Sequence, residues 1–468
     1  MTFTSGFFFV CFFVLLLCYW LLRKTAWQNG LLLAASYIFY ATFNPWFCLL
    51  LAASTLVDYY AALGIAGSAD RKKFYLGLSL AVNLGLLGYF KYSNFFISSA
   101  SNLLELLGIH SGFPVLAIIL PVGLSFYTLK KLSYILDVYH KVTSPVTSLV
   151  DFALFVAFFP QTTAGPIDRA RSLVPQLQQP RRWKGENFYH AWPLLVMGLF
   201  KKFVIVDNVT IIADKIFGLQ SPSLLLLLVG ALSFTLQILA DFSAYTDLSR
   251  GISFLLGIRT PQNFNSPYLS ITPTDFWNRW HMTLSSWLRD YIFNPLRRKL
   301  LKGGHSAASL LTWLIPPLVT MFASGLWHGA GWNYVAWGLY YGVLIAIYQR
   351  AGWGGSWRPA GWLKTGLAWL VMFSLIVFGW MLFRAPTLAW LSNVLFHSPF
   401  TSSPDDLAVS LAYLPMIGFY TLPLMLKMVL DRFLNKSVWM QAAFYAITAA
   451  AIIVYTNSAS PDFIYFQF

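Results

Sequence analysis

NFNSPYLSITPTDFWNRWHMTLSSWLRDYIFNPL, Asn263 to Leu296, gathers Trp, Arg, His, Ser and Asp in a chain whose flanking sequence on both sides is strongly apolar. Ionisable groups are expensive inside a bilayer, so such a segment among apolar runs marks a place where partners, water or chemistry satisfy them. From Thr274 onward the spacing predicts a helix. Thr272 or Thr274 can cap it, Pro273 suits the first turn and Asp275 favours the positive N-terminal end. Trp277, His281, Leu284, Leu288 and Tyr291 recur at helical spacing, while Asn278, Ser285 and Arg289 fall on another side. A re-entrant helix lining a cavity is therefore expected, and a buried histidine held by a carboxylate or carbonyl is the plainer reading of His281.

Working outward, the composition is that of a polytopic membrane protein: 57% of the 468 residues are hydrophobic and only 10% are charged. Apolar runs of spanning or near-spanning length lie at 5–22, 28–44, 46–66, 74–90, 114–129, 190–206 and 222–240. Five more lie at 307–324, 331–348, 366–383, 405–426 and 438–455. The first lacks a positive n-region and is followed by Arg23-Lys24, so it reads as a retained span rather than a signal peptide. The expectation is an all-α protein with 11–12 transmembrane helices plus re-entrant or interfacial helices. Basic residues support the count. With the N-terminus outside, all but five of the 32 Lys and Arg fall in inward connections, the exceptions being Lys91, Lys201, Lys202, Lys215 and Arg384. The net charge of +15 is thus mostly topology and argues for no nucleic-acid partner. Cys11, Cys18 and Cys48 stand in apolar runs without CxxC spacing, which suggests neither a disulfide framework nor a metal site.

Two inward stretches exceed simple connectors. One spans 130–189 and includes FFPQTTAGPIDRARSLVPQL (Phe158–Leu177), where Pro160, Gly165 and Pro166 break helix and Asp168, Arg169 and Arg171 supply charge. It reads as an ordered interfacial element or as a solvated loop holding lipid phosphates. The other spans 241–302 and contains His281, with Asp241 and Asp247 expected at the membrane edge. The spans at 307–349 carry His328, in a stretch without Asp, Glu, Lys or Arg between His305 and Arg350, flanked by Gly325, Gly329 and Gly331 that permit close approach. A neutral imidazole, with an unperturbed pKa of about 6.5, can take and return a proton as acyl transfer to a hydroxyl requires. A histidine bridging helices is the structural alternative. No GxSxG, HExxH, P-loop or GxGxxG motif supports hydrolase, metalloprotease or nucleotide chemistry.

FFPQTTAGPIDRARSLVPQL, GLFKKFVIVDN (Gly198–Asn208), QILADFSAYTDLSRG (Gln237–Gly251), the opening stretch, GLWHGAGWNYVAWGLYYG (Gly325–Gly342) and the closing FIYFQF together resemble the membrane-bound O-acyltransferase family. The branch they resemble is that of the alginate O-acetylase membrane subunit, and the likeness covers nearly the whole chain. It implies one acyltransferase domain over 1–468, with a central tunnel, in a bacterial inner membrane. It also implies transfer of an acetyl group from a cytoplasmic thioester, acetyl-CoA or another, across the bilayer for O-acetylation of an exopolysaccharide of alginate or cellulose type. No permanently bound cofactor and no metal are implied. Catalysis maps onto His328 and His281, with His281 nearer the inner mouth and His328 deeper. Trp277, Asn278, Arg279, Trp280, Ser285, Arg289, Asp290, Trp327 and Asn333 are the tunnel or donor-site candidates. Implied partners are a periplasmic SGNH-hydrolase-like acetyltransferase, a polysaccharide synthase or secretion complex, and membrane lipids.

Two departures bear on substrate. WNRWHM and GPIDR resemble the branch that transfers D-alanyl groups to teichoic acids, and Arg297-Arg298-Lys299 stands where the alginate type has Gly-Gly. D-alanyl transfer, an acyl transporter and a non-catalytic scaffold for a periplasmic acetyltransferase are the alternatives.

Overall fold

The computed structural model describes residues 2–110, 113–306, 309–355, 357–434, 437–456 and 463, and among these every regular element is a helix. The residues after Phe463 in FIYFQF lie outside the described residues. Among the described residues seven helices are long and apolar enough to cross a membrane: Pro45–Gly67, Lys72–Leu106, Leu224–Leu255, Leu310–His328, Trp362–Arg384, Pro404–Met428 and Val438–Tyr455. Each corresponds to an expected span. The other runs also fold mainly as helices, but shorter or more polar ones. Gly6–Leu21 has 16 residues and Thr25–Ala41 has 17. The run at 114–129 differs most: 113–121 carries no regular element, and a helix begins only at Leu124. Pro114 and Pro121 withhold backbone donors there, and Gly123 turns the chain at φ +76°.

The chain divides into two compact units, Met1–Trp192 with Ser249–Pro261, and Pro193–Leu248 with Gln262–Phe468. In the first unit, Asp58 of Pro45–Gly67 is fully buried. It accepts hydrogen bonds from Ser79 Oγ and Asn83 Nδ2 and lies 3.5 Å from Lys131 Nζ. Buried ion pairs persist only with such accompanying hydrogen bonds.

The segment expected at the membrane surface is instead interior: residues 158–170 are all buried. Several of its polar groups are met from other elements. Lys130 Nζ donates to Gln161 Oε1 at 2.9 Å, Phe159 N to Ser36 Oγ at 3.1 Å, and Ser249 Oγ to the Pro160 carbonyl. A Cβ on Gly123 would stand 2.2 Å from the Thr162 carbonyl oxygen, so the two backbones touch. Irregular backbone of this kind is stable in a membrane protein because protein, not lipid, surrounds it. The return of the chain at Ser249–Pro261 completes the unit. Tyr19 Oη donates to the Leu256 carbonyl at 2.9 Å, and Gln176 pairs with Arg259 through both backbone groups at 3.0 and 2.9 Å.

In the second unit the carboxylates expected at the membrane edge are ion-paired within and beside the helix Leu224–Leu255. Asp241 lies 3.5 Å from the buried Lys202 Nζ, and Asp247 lies 2.7 Å from Lys201 Nζ. Helices Leu310–His328 and Trp332–Arg350 form a hairpin packed backbone to backbone. A Cβ on Gly325 would meet the Tyr334 oxygen at 2.2 Å, and one on Gly338 the Met321 oxygen at 2.2 Å. Gly338 and Gly342, four apart, form the small-residue stripe that permits this approach.

Candidate active site

The helix predicted from Thr274 begins as expected. Thr272 Oγ1 accepts from Asp275 N at 3.1 Å and Pro273 occupies the first turn. It does not run through. Pro273–Trp277 stops, and Met282–Leu288 starts after His281, whose φ of +41° lies in the left-handed region. That conformation costs about 1–3 kcal/mol for a residue with a Cβ and persists only where surroundings enforce it.

The enforcing element is the NFN segment. Met282 N donates to the Asn263 carbonyl at 2.9 Å, Asn265 N to the Arg279 carbonyl at 3.0 Å, and Asn263 Oδ1 accepts from Thr283 N and Thr283 Oγ1 at 3.2 and 2.6 Å. The break turns the His281 ring inward, where it is fully buried against Phe242, 4.7 Å between centroids. His281 lies outside the seven spanning helices, and burial holds its pKa down at about 3, so it stays a neutral imidazole through the physiological range.

His328 ends its helix at the top of the glycine-packed hairpin and is 3% exposed. Its ring centroid is 6.4 Å from that of His281, with Trp327 between them at 5.5 Å from His281 and 4.8 Å from His328. Trp337 at 5.0 Å and Phe383 at 5.4 Å close the other sides. Two residues 47 positions apart in sequence, expected at different depths, are thus neighbours inside one aromatic box. Such a box, with His281 fully buried and His328 3% exposed, keeps both rings away from bulk water.

A pocket of about 270 Å³ adjoins this box. Of the expected donor-site residues, Trp277, Asn278, Ser285 and Arg289 line it, together with Met282, directly after His281, and Thr320 and Met321 from the His328 helix. The remaining candidates play other parts. Arg279 pairs with Asp275 at 2.9 Å, and Asp290 lies 3.5 Å from Arg289 on the outer rim. Trp280 is fully buried among Phe264, Phe276 and Trp380. Asn333 Nδ2 donates to the Phe383 carbonyl at 3.2 Å, tying the first turn of the helix Trp332–Arg350 to the helix Trp362–Arg384.

Sequence reasoning did not single out Asn263, Phe242, Trp337 or Phe383. Trp337 alone had a local signal, since a glycine hairpin returns the residue before Gly338 toward the end of the preceding helix.

A model of the membrane-bound O-acyltransferase family matches residues 141–383, a span holding both histidines and the pocket. The chain belongs to this family. It is accordingly an O-acyltransferase and a multi-pass membrane protein. Among relatives of this acyltransferase, the probable alginate O-acetylase AlgI of Pseudomonas aeruginosa is 38% identical over 395 residues, covering 83% of this chain and 74% of the relative. The peptidoglycan O-acetyltransferase of Helicobacter pylori is 34% identical over 388 residues, covering 76% and 71%. The teichoic acid D-alanyltransferase of Bacillus subtilis is 30% identical over 274 residues, covering 56% and 68%.

Proposed function

We propose that this acyltransferase takes an acetyl group from a cytoplasmic thioester, acetyl-CoA or a similar donor, and passes it across the bacterial inner membrane for O-acetylation of a secreted exopolysaccharide. The observation that carries the reading is the pair of buried imidazoles, 6.4 Å between centroids, sealed by aromatic rings beside a pocket lined by Trp277, Asn278, Ser285 and Arg289. A thioester is already activated. What remains for the protein is a base for the acceptor hydroxyl, alignment of the two reactants, and exclusion of water. His328 is the base in this reading. His281, neutral and held by its strained backbone, positions the donor beside it.

The names of the relatives, an alginate O-acetylase and a peptidoglycan O-acetyltransferase, support an acetyl group and a polysaccharide acceptor, and we read the acceptor as an exopolysaccharide of alginate or cellulose type. Acceptance outside the membrane calls for a periplasmic SGNH-hydrolase-like acetyltransferase and a polymer synthase or secretion complex as partners. The D-alanyl reading keeps one support, the similarity to a teichoic acid D-alanyltransferase. Ester-linked acetate on secreted polymer, measured for wild type, His328→Ala and His281→Ala at matched membrane levels, tests the proposal. Acetate falls to background with His328→Ala. Unchanged acetate removes the catalytic assignment, and ester-linked D-alanine in its place supports the other branch.

A further inference from the structure

Buried tyrosine hydroxyls and indole N–H groups almost always find an acceptor, because an unsatisfied buried donor is costly. Several in the second unit do. Tyr268 Oη donates to the Thr235 carbonyl at 2.6 Å and Tyr340 Oη to the Leu375 carbonyl at 2.8 Å. In the aromatic cluster around His328 and the pocket several do not, Trp280 Nε1 among them. Trp277 Nε1, Trp337 Nε1 and Tyr341 Oη are buried and have no acceptor among the described residues. Their rings are contiguous, at centroid distances of 5.6 Å (Trp277–Trp337), 5.4 Å (Trp337–Tyr341) and 5.2 Å (Trp277–Tyr341). Donors left open together on one wall suit a ligand with an acceptor oxygen. Of the three, only Trp337 has its ring against His328, at 5.0 Å and nearly perpendicular, and it is fully buried.

We infer that the indole N–H of Trp337 holds the thioester carbonyl oxygen during transfer at His328 and stabilises the oxyanion formed there. The inference rests on the acyl-transfer reading above. The acceptor hydroxyl oxygen bonds to the thioester carbonyl carbon as its proton passes to an imidazole nitrogen of His328. The carbonyl π pair moves onto oxygen, which accepts the Trp337 hydrogen bond. When that pair returns, the C–S bond breaks and the departing thiolate takes the proton from the imidazolium. A preorganised donor in a dry site strengthens as charge develops, so its loss is read in kcat more than in KM. Trp277 Nε1, on the pocket wall, is placed to guide the same oxygen on its way in.

The test replaces Trp337 with 3-benzothienylalanine, which keeps ring shape and exchanges N–H for sulfur, with Trp337→Phe as the genetically simple counterpart. Inverted membrane vesicles from polymer-producing cells retain the partners, and labelled acetyl-CoA titrated into them gives apparent kcat and KM. The benzothienyl protein should lose about 10²-fold in kcat with KM and thermal stability unchanged. Wild-type kcat in that protein overturns the inference, as does a rise in KM at constant kcat. A fall in thermal stability with kcat per folded molecule unchanged also overturns it and assigns the N–H to packing against a neighbouring ring. His328→Ala in the same vesicles separates the two readings. If it stays active, acyl transfer at His328 itself fails. If it is inactive while the benzothienyl protein is fully active, only the role of Trp337 fails.

Discussion

Gly338→Ala is the smallest change that should move the active site. The added Cβ would lie 2.2 Å from the Met321 carbonyl oxygen and 3.2 Å from Gly325 Cα, where ordinary contact begins at 3.4 Å. Neither partner is a flexible side-chain end, so the hairpin helices must part by about 1 Å at that level. His328 lies on the same helix one turn beyond Gly325 and moves with it. Overpacking of this kind costs about 1–3 kcal/mol, and a misplacement of about 1 Å can cost about 10²-fold in rate. Acetate on secreted polymer should fall by one to two orders of magnitude at matched membrane level, and the thermal midpoint in nanodiscs should drop by several degrees. Gly77→Ala, whose Cβ meets nothing within 4 Å, is the control and should leave both unchanged or slightly raise stability. Normal acetate and an unchanged midpoint for Gly338→Ala would refute the argument that the glycine contact sets the position of His328.

Other expectations follow from the same structure. Because folding lowers the His281 pKa from about 6.5 to about 3, the unfolded chain takes up a proton that the folded protein refuses as pH falls through that window. Stability is therefore independent of this group above about pH 6.5 and declines below it by up to ~1.4 kcal/mol per pH unit; thermal unfolding at pH 7.5 and pH 5 should show a slope that is smaller in His281→Gln. Lys131→Ala leaves the buried Asp58 carboxylate without its cation and should cost about 3–5 kcal/mol, much of it recovered in the double variant with Asp58→Asn; equal instability of the single and double variants in denaturation would contradict the pairing.

The spanning helices were legible because an apolar run long enough to cross a bilayer carries its own instruction, and Pro45–Gly67 and Leu310–His328 fold where their runs lie. The break at His281 was not. Its cause is Asn263, about twenty residues upstream, and helical periodicity from Trp277 to Tyr291 continues across the break as though nothing intervened. Burial of 158–170 was hidden for a related reason. Asp168 and Arg169 read as surface residues until the cavity that accepts them, with Lys130 and Gln161, is assembled. His281 and His328 were each recognisable, but their adjacency depends on tertiary packing of the hairpin, and no spacing rule links positions 47 residues apart.

The hydrogen bond from Ser249 to the Pro160 carbonyl bears on how the protein is made. A chain emerging from the ribosome releases Pro160 long before Ser249, and the first unit lacks its final stretch, 249–261, until the intervening 193–248 has been synthesised. In that interval an irregular, charge-bearing segment must be tolerated without its last partner. Membrane insertion therefore cannot finish the first unit before the second is begun, and a nascent chain halted before Ser249 would present insertases and membrane proteases with an unfinished interior rather than a completed module.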